Sequence, residues 1–336
     1  MTYNKPWLSI EEQLDKLQAH GLAVTDVQRA EQALRRIGYY RLSGYWYPFR
    51  ERSGPACSIP ELPGKPSKKD KKVQTFPLES FKHGLRFQDA VELYVFDKKL
   101  RLLVLDALER IEVALRVDIS HTLGELDAFA YLKPELLSDE FTQNLNARGG
   151  LSDYHTWLTN HAKLLDRSKE EFIKHNKEKY GLPIAIWIAC EVWDFGCMSR
   201  LFAGLKDEHQ DMISSRYGIQ NGGVFASWLR SLNYLRNVCA HHSRLWNRNI
   251  IDQPQKPGKS EVPIFRHAWD NGRLVARPFL LFCIIQHLLQ TINPTSSWWE
   301  RLSSLLEEFP LNGSETALSL DAMGAIDDWQ NWGWGT

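Results

Sequence analysis

Residues 224–247, VFASWLRSLNYLRNVCAHHSRLWN, decide how the rest of the chain is read. Phe225, Trp228, Leu229, Leu232, Leu235, Cys239 and Trp246 recur at the three- and four-residue steps that put side chains on one face of an α-helix. The segment therefore predicts an amphipathic helix that buries one face. Strand-like alternation with turn chemistry is not convincing here or elsewhere along the chain.

Working outward, the same pattern recurs. Residues 8–50 read as helical. Ser9 and Glu12 form an S-x-x-E capping box ahead of Leu14 and Leu17, and Gly21 stops that helix. Thr25-Asp26 can cap a second helix carrying Val27, Ala30, Leu34 and Ile37, which stops at Gly38. Residues 39–50, YYRLSGYWYPFR, follow. Residues 87–123 predict a long helix or a kinked pair. Residues 151–179 are a polar helical stretch ended by Gly181-Leu182-Pro183, and further helices are expected over 184–205, 278–292 and 297–309. A helix near 314–327 precedes Trp329, Trp332 and Trp334, whose rings suit packing against the bundle. Two stretches break the pattern. Residues 51–77 carry Pro55, Pro60, Pro63, Pro66 and Pro77 and the run Lys68-Lys69-Asp70-Lys71-Lys72, which reads as a solvated loop or insertion. Asp252–Pro263 is the second break. The expected architecture is all-α: an N-terminal helical module (1–50), the insertion (51–77), a helical bundle (78–310), and a C-terminal helix with a Trp-rich tail (311–336).

Composition sets the outer limits. The 336 residues carry 41 Lys+Arg against 41 Asp+Glu, so the net charge is zero and a uniformly basic nucleic-acid binder is excluded, although a local basic patch is not. Apolar residues at 43% and charged residues at 24% fit a globular chain and exclude a disordered or rod-like one. Cys57, Cys190, Cys197, Cys239 and Cys283 are scattered, with no C-x-x-C pair or zinc-finger spacing. The polar opening MTYNKPWLSIEEQ is no signal peptide, and the apolar stretches Leu182–Cys190 and Phe279–Ile285 are shorter than the ~18 residues of a membrane span. These features predict a reduced cytoplasmic protein without a membrane anchor.

The chemistry concentrates at the end of the opening helix, in Leu235-Arg236-Asn237-Val238-Cys239-Ala240-His241-His242-Ser243-Arg244-Leu245-Trp246-Asn247-Arg248. An imidazole moves protons near neutral pH, and a guanidinium holds a phosphate through two parallel hydrogen bonds. Asn237 can orient either. At ~100° per residue, Asn237 and His241 share a face while Arg236 lies about 140° from His241, so the two meet over one phosphate only if the helix bends or a second copy faces the first. An Arg followed closely by a His also occurs at Arg116–His121 and Arg148–His155, but only Arg236 has the Asn, the second His, Arg244 and Arg248 beside it. P-loop, dinucleotide-binding, H-E-x-x-H and G-x-S-x-G signatures are absent.

R-N-x-x-A-H at 236–241, followed by H-S-R-L-W-N-R, resembles the signature of the Abi-like abortive-infection family (AbiD/AbiF type) of the HEPN superfamily of helical ribonucleases. Other blocks agree in order: K-P-W at 5–7 with Gln13-Leu14; I-G-Y-Y-R-L-S-G-Y-W at 37–46; Phe96-Asp97 with Leu100-Arg101; E-R-I-E-V-A-L-R at 109–116; L-P-I-A-I-W at 182–187 with Glu191 and Phe195-Gly196. The resemblance spans most of residues 5–310. It implies a HEPN-type bundle, a homodimer whose paired Arg-Asn…His segments line a cleft, and metal- and cofactor-independent RNA cleavage leaving a 2′,3′-cyclic phosphate. Arg236 would stabilise the phosphorane, His241 would be the acid or base, with His242 as its rival, and Asn237 would position it. It further implies a toxin-like role in phage defence under the control of a structured small RNA. Some HEPN members only bind RNA, and a helical scaffold for a protein partner is a third reading.

Two points stay open at this level. Glu112 either pairs with Arg116 one turn on, or Glu112 or Glu191 reaches Arg236. Tyr39, Tyr40, Arg41, Tyr45, Trp46 and Arg50 either contact RNA by stacking and phosphate pairing or dock the N-terminal module.

Overall fold

A computed structural model describes residues 4–54, 75–145, 149–310, 319–332 and 334. Among the described residues the protein is all-α apart from one small sheet. It forms two compact units, residues 1–99 with 305–319, and residues 100–304 with 320–336.

In the first unit, α1 (Ile10–Ala19) starts where the sequence says it should. Ser9 Oγ accepts from the Glu12 N–H at 3.2 Å, and Glu12 Oε2 accepts from the Ser9 N–H at 2.6 Å. The second helix, α2 (Val27–Ile37), is capped by Asp26 Oδ1 accepting from the Arg29 N–H at 3.0 Å. Gly38, at φ +92°, ends α2 and lets α3 (Tyr39–Trp46) begin at once in a new direction. The chain then departs from expectation. Strand β1 (Arg50–Arg52) pairs antiparallel with β2 (Pro77–Phe81), so the two ends of the expected loop are zipped together. Strands this short, separated by more than twenty residues, are below the length at which alternation shows in a sequence. The Lys68–Lys72 run lies outside the described residues.

Helix α4 (Phe87–Leu126) is a single helix of 40 residues rather than a kinked pair. Leu93, Phe96, Leu100, Val104, Leu108, Ile111, Leu115, Ile119 and Leu123 repeat at three- and four-residue steps along its buried face. Its residues from Leu100 onward belong to the second unit, which also holds α5 (Asp139–Gln143), α6 (Asp153–Arg167), α7 (Glu171–Tyr180), α8 (Ile186–Ala189), α9 (Phe195–Ala203), α10 (Asp207–Arg216), α11 (Gly222–Ala240), α12 (Gly272–Val275), α13 (Pro278–Ile292) and most of α14 (Trp298–Glu307). The predicted stripe of α11 is buried as expected, and α11 packs against α9, α10 and α13. Gly222 permits the closest of these approaches, since a Cβ there would sit 2.3 Å from Gln210 Cβ.

The tail closes this unit. Trp329 packs against Phe279 and Trp299, and Trp334 against Trp299 and Phe265. Of the helix expected near 314–327, residues 314–318 lie outside the described part, and Leu320–Met323 is a single 3₁₀ turn. The four described cysteines are free and buried. No described helix is long and apolar enough to cross a membrane.

Candidate active site at the end of α11

The helix carrying the Arg-Asn…His segment stops earlier than its sequence suggests. Its last residue is Ala240, and residues 241–247 are not helical. The stop is made by backbone hydrogen bonds. The Ser243 N–H donates to Val238 O at 2.9 Å and the His242 N–H to Cys239 O at 3.0 Å, the two closures of a Schellman motif. That motif needs a left-handed residue, usually Gly. Here it is His242, at φ +56°. A left-handed conformation in a non-glycine residue costs on the order of 1–3 kcal/mol and persists only where surrounding structure enforces it. The turn is braced by Arg101 of α4, whose Nη1 donates to Ser243 O at 3.4 Å.

This cap sorts the side chains. His241 and His242 are exposed beside the helix end, and Arg244 is half-buried in the turn after them. Arg236 is half-buried one turn earlier. It lines an open cleft of about 590 Å³ with Leu105, Asp106, Glu109, Glu112 and Arg116 of α4. Neither His is among the lining residues, so the cleft holds the guanidinium while the imidazoles stand outside it. Of the two partners open to it, Asn237 turns its side chain to Arg236. Its Oδ1 accepts from Arg236 Nη1 at 3.4 Å, and its backbone carbonyl accepts from the His241 N–H at 3.0 Å.

The acidic residues divide between the two readings. Arg116 Nη2 lies 3.3 Å from Glu112 Oε1 and Arg116 Nη1 lies 3.9 Å from Glu191 Oε2, so both carboxylates face Arg116. Arg116 also donates through Nε to Cys190 O at 2.9 Å and through Nη2 to Trp193 O at 3.2 Å. Glu112 still shares the cleft with Arg236 and feels its charge. Burial holds the Glu112 carboxyl above the usual carboxylate range, against the opposing pull of Arg116 and, less strongly, Arg236. Glu191 is outside the cleft and half exposed.

The Tyr39–Arg50 stretch, in the first unit, is corrected in part. Tyr45 and Trp46 are core side chains with no ring face left for a base. The Tyr45 hydroxyl donates to Asp97 Oδ2 at 2.7 Å, and Trp46 packs against Tyr39 and Phe87. Arg50 lies over the Phe81 ring. Tyr40, at 92% exposure, Arg41 and Tyr47 are the members of the stretch that face solvent.

Sequence reasoning missed the wall that α4 contributes to the cleft beyond Glu109, Glu112 and Arg116. Asp106, which accepts from Arg110 and Arg301, and Leu105 belong to it. The signal was present: 102, 105, 109, 112 and 116 follow one helical face. Of the other Arg–His spacings, Arg148 lies outside the described residues.

Comparison with known families matches residues 32–247 to the model for Abi-like proteins. No curated protein and no solved structure matches the chain.

Proposed function

Because the chain belongs to the Abi-like protein family, whose name points to abortive infection as a defence against phage, we propose that it acts there as a metal-independent endoribonuclease of the HEPN type. The observation that carries this reading is the end of α11: a guanidinium opening on a cleft, and two exposed imidazoles on a turn whose backbone holds a histidine in the left-handed region.

In this reading Arg236 binds the scissile phosphate and stabilises the charge that builds on its oxygens. His241 takes the proton of the RNA 2′-OH as that oxygen attacks phosphorus, or gives one to the departing 5′-oxygen. The P–O5′ bond breaks and a 2′,3′-cyclic phosphate remains. Two proton transfers need two groups, which a second copy of the segment supplies if two chains face each other across the cleft. The separation of Arg236 from both imidazoles in one chain supports that dimer. Asn237 orients Arg236, and the Glu112–Arg116 pair shapes the wall behind it. Exposed Tyr40 and Arg41 offer a stacking ring and a cation to a controlling RNA.

The test is direct. The purified chain is incubated with RNA in EDTA beside His241→Ala and His242→Ala variants, and the products are mapped. Cleavage should persist in EDTA, disappear with His241→Ala, and fail when the cleaved nucleotide carries a 2′-O-methyl group. Copurified RNA that is never cut would replace this reading with RNA binding alone.

A further inference from the structure

Tyr131, His161, Leu165, Leu182, Pro183 and Ile184 line a second, mostly apolar cavity of about 440 Å³, with Asp166 and Lys177 also contributing. Every one of these residues belongs to the second unit. Its volume lies in the range of small-molecule sites.

His161 is the informative member. It is 6% exposed, and its ring is fixed on two sides. Trp157, one turn earlier on α6, stacks on it at 5.3 Å with the planes 5° apart. Trp193 donates its indole N–H to His161 Nδ1 at 2.9 Å. An imidazole nitrogen that accepts a hydrogen bond carries no proton, so the proton of the neutral ring is on Nε2. That N–H has no protein acceptor among the described residues, and the ring lines the cavity. Burial pushes the pKa of His161 down to about 4, so at neutral pH it offers one neutral, oriented donor instead of a positive charge.

Such a donor suits an uncharged acceptor, a ring nitrogen or a carbonyl, better than an anion. The walls suit a flat ligand: the Pro183 ring, with Leu165 and Ile184 beside it, while Tyr131, buried behind them, donates its hydroxyl to Ile184 O at 2.6 Å. Asp166 and Lys177 supply an acceptor and a donor for the hydroxyls or exocyclic groups of such a ligand. We propose that this cavity binds a nucleobase, held flat against its apolar walls with a ring nitrogen or carbonyl accepting from His161 Nε2. The base comes from a free nucleoside or from an unpaired position in an RNA strand. The inference rests on this cavity alone and does not depend on cleavage at α11.

Calorimetric titration of the full chain with adenosine, guanosine, cytidine and uridine, and with a single-stranded 2′-O-methyl RNA that cannot be cut, tests it. At least one nucleoside, or the RNA, should bind saturably. Leu182→Trp, at a position 70% exposed, should fill the cavity mouth and abolish that binding without lowering thermal stability. His161→Phe, which keeps the stack and removes the donor, should weaken binding about tenfold, the loss expected for one buried hydrogen bond. If His161→Phe fails to fold, Leu182→Trp decides alone. Competition between nucleoside and RNA identifies the source: a nucleoside that displaces the RNA points to a strand's base in the cavity, and a nucleoside bound without RNA competition points to a free ligand. Binding unaffected by Leu182→Trp, no saturable binding of any probe, or equal affinity for indole with no effect of His161→Phe would overturn the proposal.

Discussion

Arg116–His121 and Arg236–His241 have the same spacing, and the structure makes different things of them. Arg116 sits within the 40-residue helix α4, where its guanidinium reaches two backbone carbonyls and two carboxylates, and His121 is a solvated residue one turn on. Arg236 sits in the last turn of a helix that ends four residues later. Its one hydrogen bond among the described residues is the long contact to Asn237, and its His stands on the cap. A guanidinium enclosed by carbonyls holds a fold together, whereas one that opens on a cleft beside a helix end can take a ligand. The spacing alone does not distinguish them; the partners do.

The comparison predicts a crossed pattern. On activity the largest effect belongs to the α11 pair: Arg236→Ala should lower RNA cleavage by about 10²–10³-fold, as for removal of one stabilising donor at a transition state, with the urea midpoint nearly unchanged. If Arg236→Ala unfolds the protein, the two arginines are alike after all. Arg116→Ala should show the reverse. It strips a partly buried carboxylate and two carbonyls of their partner and should cost about 3 kcal/mol in equilibrium unfolding. A loss below half of that would mean the Arg116 network is a surface contact.

A smaller effect separates the two histidines. His242→Gly places in the left-handed region the residue that adopts it without strain, and should stabilise the chain by about 1 kcal/mol. If His241 moves the proton, this more stable variant still cleaves RNA; loss of cleavage would shift the role to His242. The smallest effect lies in the wall of the cleft. Burial makes Glu112 harder to ionise in the folded chain than in the unfolded one. Its contribution is therefore full below the ordinary carboxylate pKa and declines as pH rises through the raised folded value. Glu112→Gln has nothing to ionise, so its urea midpoint relative to wild type should rise between pH 4 and pH 7. A difference that stays constant with pH would mean that Arg116 and Arg236 together offset burial, and one that falls would mean that they outweigh it.

What the sequence made legible was whatever its own neighbours determine. The capping box at Ser9 and Glu12, the Asp26 cap, the buried stripe of α11 and the limits of α13 follow from short-range spacing, and the structure has them in place. The end of α11 was not legible, because a left-handed cap is ordinarily announced by Gly or Asn and here is made by a histidine held by its surroundings. The burial of Tyr45 and Trp46 depends on Asp97 and Phe87, some forty to fifty residues away. The His161 cluster was half legible: Trp157 and His161 are four apart on α6, but Trp193, which fixes the tautomer, arrives from the segment between α8 and α9.

The two units are interleaved along the chain, and this sets a timetable. The first is missing residues 305–319 until late in synthesis, and the second is missing the indoles of Trp329 and Trp334 until later still. At roughly 5–20 residues per second, the ribosome takes on the order of tens of seconds to travel from residue 100 to Trp334. In the later part of that interval, once residue 241 has been added, α11 and its Arg-Asn…His segment exist without the last pieces of the unit that carries them. A nascent chain thus cannot complete its candidate cleft unit before Trp334 is made, and a message cut short upstream of Trp329 yields a product lacking the rings that pack on Phe279 and Trp299.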